Sequence, residues 1–387
     1  MKKILVYKTE VLPFSETFIK LQIINLRRWH GVLAGDYRLP NGLSLDGLEV
    51  VTLLDKKPGL IGHIWRKLNL LLGRAIPADV AKLKAQKADL FQIHFGTELV
   101  QKWPLIKDLG IPIICTLHGF DVQTYAEWWH AGKGGMFMKN YPERFRELAN
   151  HPNVFFIAVS KAIEKRAIEI GVPAHKIGLC YDGVDTKHFK PEGLPITQRN
   201  KRVVFVGRLA EKKGCTYLIE AIAKVKQTVP DIELVIIGDG PLRESLEAQA
   251  RPLGESVKFL GAQPSTEVKK EMDKSRCVCV CSISASNGDA EGLPIVIFES
   301  QSSGVPILTS IHHGDTEGII EGKSGFGFRE KDVAAMTRLI TKVMTDDALA
   351  ESLSKAGREY MVQRYDIDVC TNELEDYLDR ILSGKSQ

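Results

Sequence analysis

Two rhythms alternate along the chain. Short runs of consecutive apolar residues recur, and between them apolar positions return every three or four residues. In the first half the runs are "KKILVYK", "LEVVTLL", "ADLFQIHF", "IPIICTLHG", "NVFFIAVS" and "KIGLCYDG". In the second they are "KRVVFVGR", "IELVIIGDG", "SVKFLGA", "CVCVCSI" and "VPILTS". Unbroken apolar runs read as strands buried on both faces, and the 3.6-residue rhythm between them reads as helices. The alternation predicts βαβ units and an α/β fold of two doubly wound, Rossmann-like parallel-sheet domains. A length of 387 residues suits two cores rather than one. The stretch "FKPEGLPITQRNK", rich in Pro, Gly and polar residues, reads as the linker. The expected domains are residues 1–190 and 199–365, with a closing helix over 366–387 packing back on the first domain.

In such sheets ligands bind beyond the carboxyl ends of the strands. Glycine and polar groups gather there: Gly96 after "FQIHF", Leu117 to Asp121 after "IICT", Gly207 and Arg208 after "VVFV", and Asp239, Gly240 and Pro241 after "LVIIG". No G-x-G-x-x-G follows a strand and no G-x4-G-K-[ST] occurs, which excludes a dinucleotide fingerprint and a P-loop.

Composition narrows the classes. With 44% hydrophobic and 26% charged residues the chain is globular, and no segment approaches the roughly 20 apolar residues that cross a bilayer. The N-terminal "KKILVY" is too short for a signal-peptide core and reads as a first strand, which gives a cytosolic expectation. Seven cysteines fit reduced thiols. Cys277, Cys279 and Cys281 share one face of a strand whose other face holds Val278 and Val280, and C-x-C-x-C lacks the paired spacing of a zinc site. A balance of 52 basic to 48 acidic side chains does not suggest nucleic acid as a partner. Locally the balance differs. Lys56 to Lys87 holds eight Lys and Arg against Asp79 alone, interleaved with "LIGHIW" and "LNLLL". That is either a patch for an anionic membrane surface or a core-facing helix with a basic solvated side.

The stretch "SNGDAEGLPIVIFESQSSGVPILTS" carries candidate chemistry. Pro294 suits a first helical position, Gly304 a helix end, and the turn Gly292–Leu293 would present backbone N–H groups to an anion. Glu291 sits at the mouth of that helix and Glu299 within it. A phosphate repels a carboxylate, so hydroxyls are the better partners, each such hydrogen bond contributing about 1.5–3 kcal/mol. Arg208 and Lys213 in "VGRLAEKKG" supply cations at another strand end. The set suits a nucleoside diphosphate carrying a sugar; taken singly, each residue also reads as a surface charge.

Together, "GRLAEKKG", "IIGDGP", the E-x7-E pair of "EGLPIVIFE" and "VSKAIEKRAIEIGVPAHKIGLCYDGVDTKHF" resemble retaining nucleotide-sugar glycosyltransferases of family four, with two domains facing a central cleft, the GT-B architecture. "PFSETFI", "IHFGTELVQKWPLIKDLGIPIICTLHGFDV" and "GDAEGLP" resemble the colanic-acid and amylovoran type within it, which builds exopolysaccharide or lipopolysaccharide. The resemblance implies a donor site of Arg208 and Lys213 on the diphosphate, Gly240, Gly292 and Leu293 against phosphate and sugar, Glu299 on the ribose, Glu291 on sugar hydroxyls, and Glu317 on the donor side. His118 would reach the donor sugar, with His118, Glu291, Arg208 and Lys213 as the catalytic set. Ser15, Glu16, Thr17 and Asp121 would border the acceptor, a glycan or lipid-linked glycan. Asp182, and Asp315 with Thr316, depart from the family pattern. His312 and His313 read as loop residues, and His94 as structural or domain-facing.

The expected reaction moves a hexosyl unit from a nucleoside diphosphate sugar to a glycan hydroxyl with retention. Arg208, Lys213 and the helix N-terminus would stabilise the departing diphosphate, with no cofactor and no obligatory metal. An epimerase or phosphorylase of the same architecture, and a non-catalytic sugar-binding protein, are the competing readings.

Overall fold

The computed structural model describes residues 1–13, 16–38, 42–310 and 317–384. The chain divides into two compact units, Met1–Asp182 with Ile367–Gln387, and Gly183–Asp366. The division falls at residue 182 rather than 190, and the expected linker lies inside the second unit. Its Phe189 is buried, and the Phe189 carbonyl accepts hydrogen bonds from Ser302 at 2.5 Å and Arg358 at 2.9 Å. A buried aromatic ring and two satisfied hydrogen bonds fix a segment whose composition alone reads as loop.

In the first unit the strands are β1 (Lys2–Tyr7), β2 (Glu10–Val11), β3 (Trp29–Gly35), β4 (Tyr37–Arg38), β5 (Glu49–Thr52), β6 (Leu90–His94), β7 (Ile113–Leu117), β8 (Val154–Ala158) and β9 (Ile177–Leu179). Seven form one sheet in the order β5-β3-β1-β6-β7-β8-β9, and β2 pairs with β4. All pairs in the sheet are parallel. Period-two alternation sends Leu5 and Tyr7 to one buried cluster and Ile4 and Val6 to another, so the sheet is covered on both faces. The second cover includes Leu374, Tyr377 and Leu378 of the C-terminal helix Ile367–Ser383. Glu375 of that helix is 1% exposed, and its Oε1 accepts the backbone N–H groups of Arg27, Arg28 and Trp29 at 2.8, 2.7 and 3.1 Å.

In the second unit β10 (Asn200–Val206), β11 (Glu233–Ile237), β12 (Val257–Gly261), β13 (Ser275–Val280), β14 (Ile307–Thr309) and β15 (Gly325–Gly327) form a parallel sheet in the order β12-β11-β10-β13-β14-β15. Cys277, Cys279 and Cys281 lie on its covered face with Val203 and Phe205, and all seven cysteines are free and buried.

The sequence pattern passes over β3, "WHGVLAG", which has two glycines and a histidine. Close packing demands the glycines. A Cβ on Gly31 would meet Ile23 at 2.8 Å, and one on Gly35 would overlap the Lys8 carbonyl oxygen. In both sheets the order reverses beside the first strand, with β1 between β3 and β6 and β10 between β11 and β13. Diverging connections open a crevice at the carboxyl ends there.

At the β10 and β11 ends, Gly238 has φ +141°, and a Cβ on it would overlap the Gly207 carbonyl oxygen. Gly238→Ala is therefore expected to destabilise by about 2 kcal/mol or more, combining backbone strain with backbone displacement. Urea unfolding of the variant measures it; a midpoint equal to the parent's would show that the two loops can part freely.

Candidate active site

The second unit's site grows from three strand ends fastened to one another. After β10 the chain passes Gly207 and exposed Arg208 and makes a 3-10 turn, Glu211–Lys213, before the helix Cys215–Val225. The segment after β13 is tied to this turn. The Ile283 N–H donates to the Lys212 carbonyl at 2.7 Å, the Cys281 thiol to the Lys213 carbonyl at 3.3 Å, and the Ser286 N–H and hydroxyl both to Glu211 at 2.9 Å. Between turn and segment stands Gly214, φ +63°, where a Cβ would overlap the Cys281 carbonyl oxygen. After β11, Gly240 packs its Cα against the Leu209 carbonyl, 2.5 Å from where a Cβ would stand, and takes its N–H to Asp239 at 2.7 Å.

This fastening brings two lysines to Glu291. Lys213 Nζ lies 3.1 Å and Lys212 Nζ 3.3 Å from Glu291 Oε1, and Lys212 also reaches Asp289 at 3.1 Å. Both ammonium groups sit off the hydrogen-bonding direction of that oxygen, which is buried. Burial pushes the Glu291 carboxyl up, but Lys213 and Lys212 outweigh it and hold it below the ordinary carboxylate range. Burial likewise pulls Lys212 down, and Glu291 and Asp289 override it. Among the described residues Arg208 has no ion-pair partner.

The helix after this segment starts one residue later than expected. Pro294 has ψ 129° and is the N-cap, and the helix is Ile295–Ser302. Extended ψ at a proline N-cap leaves Ile295 as the first residue able to join the helical turn. Six of its eight residues are buried; only Ile295 and Glu299, four apart on one face, keep part of their surface open. Glu299 meets no side-chain partner among the described residues, and burial raises its carboxyl to about 7. Glu317 is 3% exposed. The next residue, Gly318, approaches the same helix, a Cβ there falling 3.0 Å from Leu293 and 3.2 Å from Ile297. The structure thus brings Lys213, Glu291, Gly292 and Leu293 to one corner, with Glu317 behind Leu293.

In the first unit the expected residues collect beyond β1, β6 and β7. His118 Nε2 lies 3.0 Å from His94 Nδ1, and Phe18 and Phe95 flank the His118 ring at 5.0 and 4.6 Å. Burial, then the Lys8 charge, pushes His118 down to about 3, and burial, then His118 and Lys8, pushes His94 well below its usual value, which favours the neutral form of both rings. Lys8 is itself buried, 2.6 Å from Glu98 and 3.2 Å from Glu16, with Phe95 beneath it at 4.3 Å. Burial raises Glu16 to about 7 against the pull of Lys8. Phe95 adopts φ +70°, which places it outside the regions a side chain prefers.

Asp121 has a different task from the acceptor contact expected of it. It is 2% exposed and accepts the N–H groups of Gly96 and Gly119 at 2.9 Å each and of His118 at 3.2 Å. A buried carboxylate engaged by three backbone donors shapes the loop that carries His118. Thr17 opens the helix Thr17–Asn25. Ser15, His312, His313, Asp315 and Thr316 lie outside the described residues. Sequence reasoning missed Lys8, Glu98 and Lys212, and His94 is the partner of His118. The pair "KK" at 212–213 was visible, but only the fold shows both lysines turned to one carboxylate.

Known proteins share this plan. A model described as "Glycosyl transferases group 1" matches residues 186–360, and one described as "Glycosyltransferase Family 4" matches residues 46–188. The chain is 28% identical over 335 residues to the amylovoran biosynthesis glycosyltransferase AmsK of Erwinia amylovora, covering 84% of this chain and 79% of that one. It is 27% identical over 332 residues to the putative colanic acid biosynthesis glycosyltransferase WcaL of Escherichia coli, covering 82% and 78%. The fold superimposes on Anabaena HepE, solved with UDP and glucose, with a TM-score of 0.77 at 20% identity, over 98% of this chain and 100% of that one.

Glu299 generates a stability prediction. A carboxyl raised from 4.5 to about 7 binds a proton more tightly folded than unfolded, so its contribution is present at low pH and is lost as pH rises toward 7. Relative to Glu299→Gln, the unliganded parent should lose thermal stability between pH 5 and pH 8. Parallel melting curves across that range would count against a desolvated, unpartnered Glu299.

Proposed function

From the premise that this chain belongs to the glycosyltransferases of the group 1 and family 4 type, we propose that it moves a hexosyl unit from a nucleoside diphosphate sugar to a hydroxyl of a bacterial surface glycan, with retention of configuration. The observation that carries this reading is the corner where Lys213 and Lys212 meet Glu291, at the carboxyl ends of β10 and β13. A diphosphate entering there offers Lys213 a stronger partner than one carboxylate. Lys213 and Arg208 take the phosphates, Lys212 keeps Glu291 oriented through its second bond to Asp289, and Glu291 turns its freed acceptor capacity to sugar hydroxyls. As the glycosidic bond breaks, charge grows on the diphosphate, and these fixed cations stabilise it without reorganisation. Glu299, ionised on binding, accepts the ribose hydroxyls. Burial and the Lys8 charge push the His118 imidazole down, which disfavours a role for it as an imidazolium proton carrier.

The relatives that make amylovoran and colanic acid support an exopolysaccharide product, and with it a lipid-linked acceptor met at an anionic membrane surface through Lys56 to Lys87. Charge neutralisation by side chains makes a metal dispensable in this reading. Incubating the protein with nucleotide sugars, with and without glycan acceptors, tests it by mass and anomeric configuration of the product. Conversion of the donor alone would instead mark an epimerase.

The two glutamates should fail differently. Glu299→Gln is expected to weaken nucleoside diphosphate about tenfold or more, the size of one hydrogen bond to a charged group. Glu291→Gln should leave that affinity within a few-fold and lower turnover, because only interactions gained in the transition state accelerate chemistry. Calorimetry with the nucleoside diphosphate and kinetics with the intact donor separate them; equal loss of nucleotide by both variants would refute the assignment. Turnover should also persist in EDTA, and rescue by added magnesium or manganese after its loss would overturn the metal-free reading.

A further inference from the structure

The helix Leu60–Leu71 is turned inside out relative to an ordinary surface helix. Leu60 is 77% exposed, Ile61 85%, Ile64 48%, Trp65 55% and Leu68 48%, and Leu72, just beyond, is 68% exposed. At 3.6 residues per turn these six positions fall within an arc of about 140°. Its polar side faces the other way. Arg66 forms an ion pair with Asp79, both largely buried, and Asn69 bonds back to the Trp65 carbonyl at 2.9 Å. A helix of a globular domain normally sends its apolar stripe to the core. Here no described residue of the helix belongs to either core cluster of the unit.

Cations flank the helix along the chain. Lys56 and Lys57 precede the helix, Arg74 follows it, and Lys82, Lys84 and Lys87 lie on and after the next helix, Pro77–Lys84, all six exposed. Asp79, the acid among them, is spent on Arg66. A second copy of the chain meeting this face isologously would press the cations against their own images, so charge disfavours self-association. An anionic bilayer satisfies both features, taking the stripe among its acyl chains and the lysines among its headgroups. Among the described residues no helix is long and apolar enough to cross a membrane, so the contact lies in the plane of the surface.

We propose that the helix Leu60–Leu71 inserts in-plane into an anionic lipid bilayer, with Ile61, Ile64, Trp65, Leu68 and Leu72 below the headgroups. The inference deepens the proposed membrane association, on which it rests, by naming the segment and replacing surface adsorption with insertion. Among the described residues the apolar positions of the helix face outward and not into a core, which speaks against the core-facing reading of the sequence.

The full chain is mixed with phosphatidylcholine vesicles containing phosphatidylglycerol, with and without bromine on the acyl chains. The expected result is flotation, with brominated lipid quenching tryptophan fluorescence; Trp65→Phe abolishes most of that quenching and still floats. Ile61→Ser with Ile64→Ser and Leu68→Ser, all at exposed positions, should weaken vesicle binding about tenfold or more while nucleoside diphosphate binding stays unchanged. Flotation without quenching, stripped fully by high salt, would overturn insertion and leave adsorption. A lipid-free dimer dispersed by the serine variant would overturn it in favour of a second copy. Nucleotide binding reports separately on the transferase reading, which stands or falls without the vesicles.

Discussion

Parallel pairing is the constraint from which the rest of each unit follows. Because every strand of the two main sheets runs the same way, each must be reached by a crossover, most of them helical, both faces become covered, and the carboxyl ends of each sheet arrive at one edge. The reversal of strand order beside β1 and beside β10 then parts the connections to opposite faces of each sheet. Lys8 and His94 stand at one such parting. Arg208 and the segment leading to Glu291 stand at the other.

Charges collected at such an edge are partly desolvated, and the structure manages them by pairing unequally. Glu291 and Lys8 each have two opposite charges nearby and are held ionised. Glu299 has none among the described residues, and burial raises its carboxyl to about 7. His118 has a neutral partner in His94 and a cation close by, which keeps it uncharged. Two glutamates that look alike in a sequence thus take separate electrostatic roles. Burial supplies the cost in every case, and the number of opposite charges within about 4 Å decides whether ionisation survives it.

Glycine ties the fold to the site. Gly238 and Gly240 let the β10 and β11 loops touch, and Gly214 lets the lysine turn rest on the chain after β13. The same glycines that a sequence reader connects with phosphate are required first by contact between backbones. A binding surface made of such loops is held by the packing beneath it, so chemistry and stability share residues here.

Most strands of the two main sheets, their parallel sense and the division into two domains were legible in the chain because short unbroken apolar runs bounded by glycine and polar residues read as buried strands. Arg208, Lys213, Glu291 and Glu299 were legible as candidates because together they match the motifs on which the family resemblance rests, although each alone reads as a surface charge. The β3 strand was not legible, since its glycines answer to Ile23 and Lys8, far off in sequence. The joining of Lys212 to Glu291, the spending of Asp121 on backbone donors, the neutrality of His118 and the outward face of Leu60–Leu71 were not legible either. Sequence fixes which groups exist and the rhythm that makes elements of them. Partners, burial and the direction a helix turns its apolar side depend on contacts between distant segments, and only the tertiary structure decides those.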